Sequence, residues 1–151
     1  MVLSKAELYT DGACLGNPGP GGYAALLRWQ DTEKVVQGGA HETTNNRMEL
    51  SAVIAGLSAL NRSVAVDVYS DSKYVIDGIE RYISNWIKKG WRTAAGKPVK
   101  NQDLWEELWA LVQHHSVTWH WVKGHAGHPE NERVDQLAQS QAYQFKGECH
   151  E

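Results

Sequence analysis

A chain of 151 residues with 42% hydrophobic content and seven Trp has ample material for the core of one domain spanning 1–151. No apolar run approaches the length of a membrane span, residues 1–7 lack a charged-then-apolar leader, and Cys14 and Cys149 are a distant pair rather than a disulfide framework. These features set the expectation of a cytoplasmic protein in a reducing compartment, with no membrane partner and nothing suggesting an obligate protein partner, hence a monomer. The net charge of −3 argues against a nucleic-acid partner only until its distribution is read. Residues 81–100 hold six basic side chains (Arg81, Lys88, Lys89, Arg92, Lys97, Lys100) and no acid, so the rest of the chain carries −9.

In chain order, Glu7 to Thr10 alternates like a strand and ends in Asp11. The stretch Gly12 to Gly22 follows, so rich in Gly and Pro that the expectation is irregular loop. Gly22 to Trp29 and Lys34 to Gly38 read as two more strands joined by a short polar link, which makes an antiparallel meander. Thr44 to Leu60 is a helix, capped by Thr44 or Asn45, with a centre that is apolar nearly all round. Glu49 shares a face with Val53, Gly56 and Leu60, which sets a carboxylate on or beside a buried surface. A lone Glu in that position ordinarily snorkels to water.

Val64 to Tyr69 alternates as a fourth strand and ends in Ser70-Asp71-Ser72, a second aspartate at a strand end. A helix between two strands is the crossover that makes them parallel. With strand 4 beside strand 1, Asp11 and Asp71 occupy equivalent ends of neighbours about 4.8 Å apart, at the kind of divergence where open α/β sheets bind ligands. Lys73 to Lys88 is helical with a break near Gly78 and runs into a basic, aromatic loop, Trp86 to Pro98. Asn101 to Gln113 is a helix with Leu104, Leu108, Leu111 and Val112 as its inner stripe and Asn101 as its cap. Val117 to Val122 is the fifth strand. A Gly-rich loop, 123–130, leads into a last helix starting near Pro129, where proline suits a first turn. On that helix Asp135 shares a face with Ala138 and Ala142, while Glu130 and Glu132 complement the helix dipole.

Four acids therefore qualify for one crevice: Asp11, Glu49, Asp71 and Asp135. Like charges a few ångströms apart take up protons or demand a cation. An all-oxygen donor set favours a hard ion, Mg²⁺ or Mn²⁺, over zinc. Two such ions about 4 Å apart can activate a water and stabilise a leaving oxygen at phosphorus. An acid cluster paired with a basic aromatic patch points to phosphodiester cleavage above other metal chemistry. A His125-x-x-His128 zinc site lacks a thiolate or third ligand.

Tyr9 to Gly22, Thr43 to Glu49, Ser70-Asp71-Ser72 and Trp121 to Asp135 closely resemble, in order, the motifs of bacterial type 1 ribonuclease H, over about 7–143. The resemblance implies an α/β fold with a five-stranded mixed sheet of order 3-2-1-4-5, its first three strands antiparallel, and helices on both faces. It implies endonucleolytic cleavage of the RNA strand of RNA–DNA hybrids, giving 3′-hydroxyl and 5′-phosphate ends. By position, Asp11, Glu49, Asp71 and Asp135 correspond to the metal ligands, with two Mg²⁺ ions in the substrate complex, and His125 to a mobile histidine assisting proton transfer or product departure. Gly12, Cys14, Asn17, Asn45 and Lys73 correspond to RNA-strand contacts, where the 2′-hydroxyl is the distinguishing group. Thr44, Asn46 and Asn101 correspond to a grip on a DNA-strand phosphate, and phosphate contacts carry little sequence information. The 81–100 segment resembles the family's basic protrusion, with Trp86 and Trp91 at its base and Lys88, Lys89 and Arg92 toward DNA; a short tail, 146–151, follows the last helix. Two departures stand out: Lys73 occupies a position where the family often has Gln, and Ile87 interrupts the basic run.

Two other readings compete. A catalytically silent binding module on the same fold gains nothing from concentrating negative charge beside phosphates. A DNA-acting relative such as a resolvase or transposase core is disfavoured by the small size and by the loops matched to 2′-hydroxyl reading.

Overall fold

The computed structural model describes residues 5–123 and 128–148. Three strands, β1 (Lys5–Cys14), β2 (Gly19–Trp29) and β3 (Thr32–Thr43), form the antiparallel meander. Helix α1 (Asn45–Ser58) then crosses to β4 (Ala65–Ser70), which returns parallel to β1 with Glu7 opposite Asp67 and Tyr9 opposite Tyr69. The edge strand β5 (Ser116–Trp121) pairs parallel to β4. The sheet order is β3-β2-β1-β4-β5, as the resemblance implies.

One expectation fails in an informative way. Asp11 does not end β1: it pairs with Ala24, and the strand continues through Gly12, opposite Tyr23, to Cys14, opposite Gly21. Gly12 is there because two backbones approach closely. A Cβ on it would sit 2.5 Å from the Glu49 nitrogen and 2.6 Å from the Met48 carbonyl carbon, so the glycine lets α1 rest directly on the strand. The β1–β4 pairing, by contrast, runs only to Tyr9 and Tyr69. Past that point β1 and β4 diverge, and Asp11 and Asp71 lie at the mouth of the divergence.

The larger core fills one face of the sheet. Leu50, Val53 and Leu57 of α1 pack with Leu8, Val66, Val68, Ile83, Trp105 and Leu108. Helix α4 (Gln102–His114) covers α1 from outside, which explains why α1 is apolar nearly all round. On the opposite face, Val134 and Ala138 of α5 (Pro129–Glu148) meet Tyr9, Ala24 and Leu26.

The segment expected to break near Gly78 is α2 (Lys73–Asp77), a π-helical turn (Gly78–Tyr82) and α3 (Ile83–Lys88). Gly78 lies against Trp105, whose ring a Cβ would meet at 2.2 Å, and the wider turn keeps the chain helical past that contact. Asn101 holds the cap position predicted for α4, and its carbonyl accepts from the Leu104 and Trp105 amides at 3.0 Å, but it does not cap the helix with its side chain. Its backbone is left-handed (φ 62°) and its side chain makes no capping bond, because both ends of its amide are engaged elsewhere. The inner stripe of α4 also contains Trp105, which is fully buried and absent from the predicted set.

Candidate active site

Three elements deliver the central acids. β1 carries Asp11 in mid-strand, α1 carries Glu49 in its first turns, and the turn after β4 carries Asp71. The start of α1 is set by Thr44, whose Oγ1 accepts from the Arg47 amide at 3.2 Å. One carboxylate oxygen each from Asp11, Glu49 and Asp71 lies within 4.8 Å of the others. Asp11 is 3% exposed and Glu49 7%. The Gly12 amide donates to Asp11 Oδ1 at 2.9 Å and fixes that carboxylate. Asp135, half-buried on α5, lies outside this tight group but makes a hydrogen bond with Asp11, and Gln139 Nε2 donates to both of its oxygens at 3.1 and 3.2 Å.

The electrostatics follow from the crowding. Burial, then the Asp71 charge, then the hydrogen bond to Asp135 push the Asp11 carboxyl up to about 8. Burial, then the charges of Asp11 and Asp71, raise Glu49 well above the usual carboxylate range. A group this reluctant to ionise is relieved by a cation. The donor set fits one: Glu49 Oε1 is buried with no hydrogen-bond partner among the described residues, and every candidate ligand atom is a carboxylate oxygen, as hard divalent ions prefer.

The residues expected on the substrate side gather around this group. Asn17 Oδ1 accepts from the Asn45 amide at 3.1 Å, tying the β1–β2 turn to the start of α1. The Cys14 thiol points to the carbonyls of Thr43 (3.4 Å) and Gly19 (3.5 Å), so this side chain stays inside that turn. Asn45 and Asn46 are exposed beside half-buried Thr44. Arg47 Nη1 donates to Asn101 Oδ1 at 3.1 Å, and Asn101 Nδ2 donates to the Tyr74 hydroxyl at 3.0 Å, which holds Asn101 next to the α1 start. Lys73 is exposed, with Nζ 4.5 Å from the centre of the Trp121 ring. His125 lies outside the described residues.

A family model described as RNase H matches residues 4–143. The ribonuclease HI of Brucella melitensis biotype 1 is 58% identical over 148 residues, covering 98% of this chain and 96% of that protein. The chain belongs to the ribonuclease H family. The ribonuclease H of Agrobacterium fabrum is 57% identical over 144 residues, 95% of this chain and 99% of that one. Among solved structures, LC9-RNase H1, described as a type 1 RNase H with the type 2 active-site motif, superposes with a TM-score of 0.84 at 32% identity over 96% of this chain and 75% of its own.

In this ribonuclease H the basic segment is a closed, braced loop. The Trp91 amide donates to the Trp86 carbonyl at 2.6 Å, the Val99 amide to Trp91 at 3.1 Å, and the Thr93 amide to Lys97 at 2.7 Å. Trp86 packs edge-on against Trp105, ring centres 5.4 Å apart, and lies 6.4 Å from Trp91. Lys88, Lys89 and Arg92 are exposed on this brace. Two residues near the site escaped the sequence reading. Arg47 grips Asp103 through two bonds (3.1 and 2.8 Å) while holding Asn101; the only signal was an arginine between a cap and a buried Glu. Trp121, at the end of β5, reads in sequence as one more strand aromatic.

Proposed function

We propose that this ribonuclease H is an endoribonuclease that hydrolyses the RNA strand of RNA–DNA hybrids, giving 3′-hydroxyl and 5′-phosphate ends with little sequence specificity. The observation that carries the reading is the convergence of Asp11, Glu49 and Asp71 within 4.8 Å in a chain of this family. These three, with Asp135 at the rim, are the residues that would hold two Mg²⁺ ions, or Mn²⁺ in their place. Held by those carboxylates, such ions would supply Lewis-acid chemistry, lowering the pKa of a bound water and offsetting charge that develops on the leaving oxygen.

The chain's own groups do the remainder. The Gly12 amide keeps Asp11 oriented, and burial of Asp11 and Glu49 keeps bulk water away from their oxygens. Gly12, Cys14, Asn17, Asn45 and Lys73 form the RNA side, where the Asn17–Asn45 tie keeps the β1–β2 turn shaped for a sugar bearing a 2′-hydroxyl. Thr44, Asn46 and Asn101 take a DNA phosphate, supported by the Arg47 bond to Asn101. His125, assigned by resemblance alone, moves a proton or helps product leave. The braced loop with Trp86 and Trp91 presents Lys88, Lys89 and Arg92 to the DNA backbone. Replacing those three by Ala raises KM and flattens its dependence on salt by about 0.7–0.9 log unit for each phosphate no longer neutralised, read from KM between low and moderate salt.

The domain assignment, one unit over 1–151, rests on one sheet carrying both cores. A monomer in the cytoplasm is the accompanying reading; the free Cys14 fits a reducing compartment, and no described helix is long and apolar enough to cross a membrane. The deciding experiment compares cleavage of a hybrid, double-stranded RNA, double-stranded DNA and single strands, with and without Mg²⁺. Cutting confined to the RNA of the hybrid, and only with the ion, is the expected result; equal cutting of double-stranded RNA overturns it.

A further inference from the structure

β1 and β4 stop pairing at Tyr9 and Tyr69, two residues before each strand's acid. Beyond that point it is β5, the neighbouring strand on the other side, that bonds to the main chain of the Asp71 turn. The Val122 amide donates to the Ser70 carbonyl at 2.9 Å, and one step further the Trp121 indole Nε1 donates to the Asp71 carbonyl at 3.2 Å. Ser72 folds back on the same turn, its amide donating to Ser70 Oγ at 3.0 Å. Trp121 is 45% exposed, yet its ring is not idle surface: Lys73 Nζ stands over it at 4.5 Å from the centroid. One indole thus touches the residue two before Lys73 with its edge and Lys73 itself with its face.

We propose that Trp121 is a positioning residue with two separable parts, the N–H holding the Asp71 main chain and the ring face holding the Lys73 ammonium where the RNA backbone passes. This rests on the hybrid-ribonuclease reading and deepens it. A cation over an aromatic face is held in place without being neutralised by an anion. It therefore remains available to a phosphate and adds a salt-sensitive interaction. The N–H bond acts on a different quantity. It sets where the Asp71 carboxylate sits relative to Asp11 and Glu49, and so bears on cation binding and on the chemical step rather than on substrate affinity.

Three variants separate the parts: Lys73→Gln, Trp121→Phe, which keeps a ring face and lacks the N–H, and Trp121→Leu, which lacks both. Each is scored by its melting curve, by binding of a fluorescent hybrid without divalent ion, by KM at several salt concentrations, and by kcat against Mg²⁺ concentration. Lys73→Gln is expected to weaken ion-free hybrid binding, raise KM and lower the slope of log KM against log salt by about 0.7–0.9. Trp121→Phe is expected to leave ion-free binding and the salt slope alone, lower kcat about fivefold, as for the removal of one hydrogen bond, and need more Mg²⁺ for half-maximal rate. Trp121→Leu is expected to show both sets of effects. Should Trp121→Leu fail to fold, the other two still decide. An unchanged salt slope in Lys73→Gln, or unchanged kcat and Mg²⁺ requirement in Trp121→Phe, overturns the assignment. Wild-type protein that leaves the hybrid uncut overturns the underlying reading instead, so the two failures are distinguishable.

Discussion

Asp11→Asn is expected to lower Mg²⁺-dependent cleavage of a hybrid by roughly a thousandfold or more, since it removes the acid nearest the other three from a charge-stabilising site. The Asn side-chain oxygen can still accept from the Gly12 amide, so the fold and hybrid binding survive. The same change is expected to stabilise the protein measured without divalent ions. The folded-state carboxyl is raised from 3.8 to about 8 by burial, by Asp71 and by Asp135, so between those values the folded protein holds a proton the unfolded chain has released. Stability then falls as pH rises through that window. The variant has no such proton to lose, so its advantage is absent near pH 4 and full above pH 8. Its ceiling, at about 1.4 kcal/mol for each tenfold change in acidity, is about 6 kcal/mol, or roughly 12–24 °C in melting temperature. Adding Mg²⁺ at pH 8 raises the wild-type midpoint and leaves that of Asp11→Asn nearly unmoved. Calorimetry from pH 4 to 8 checks this, and a variant that melts with wild type at every pH refutes the electrostatic account of the cluster.

Trp105→Ala carries the largest expected loss of stability, about 3–5 kcal/mol, as for other fully buried aromatic truncations. Trp105 is fully buried, its Nε1 donates to the Tyr74 hydroxyl at 3.2 Å, and its ring backs both Gly78 and Trp86. A cavity there weakens the brace beneath the basic loop and the Tyr74 bond to Asn101. KM for the hybrid is therefore expected to rise in the surviving folded protein, while kcat changes little because the carboxylates stand on other elements. Trp105→Phe, which keeps most of the ring, recovers a large part of both stability and KM. Denaturant titration and steady-state kinetics on the pair provide the check.

The strands and the gathering of acids were legible because alternation marks strands and a crossover helix makes β1 and β4 parallel. That brings Asp11 and Asp71 to one side even though Asp11 sits within its strand and only Asp71 follows one. The full sheet order came from the resemblance of the motifs. What stayed hidden depends on packing between distant residues. Gly12 reads locally as a loop former, and only the α1 backbone lying on it shows why a strand position needs glycine. Asn101 reads as a helix cap, and only Arg47 and Tyr74 show that its amide is committed elsewhere. Trp105, three residues before Leu108 and seven before Val112, lies on the stripe of α4 by spacing. What that spacing does not reveal is that its ring backs Gly78 and Trp86, about twenty to thirty residues earlier. Asp135 was read as facing the domain body, and its distance from the tight group is set by how α5 lies across β1 and β2, which no spacing within α5 encodes.

Asp11 rides in the middle strand of the sheet, paired with β2 along its length, with α1 on one face and α5 on the other. A residue so placed changes position only when the whole cooperative unit opens. Ageing of this enzyme, by heat or by protease, should then be all-or-none: surviving molecules keep full specific activity up to the melting transition, and the site wears out by loss of molecules rather than by gradual loosening within each one.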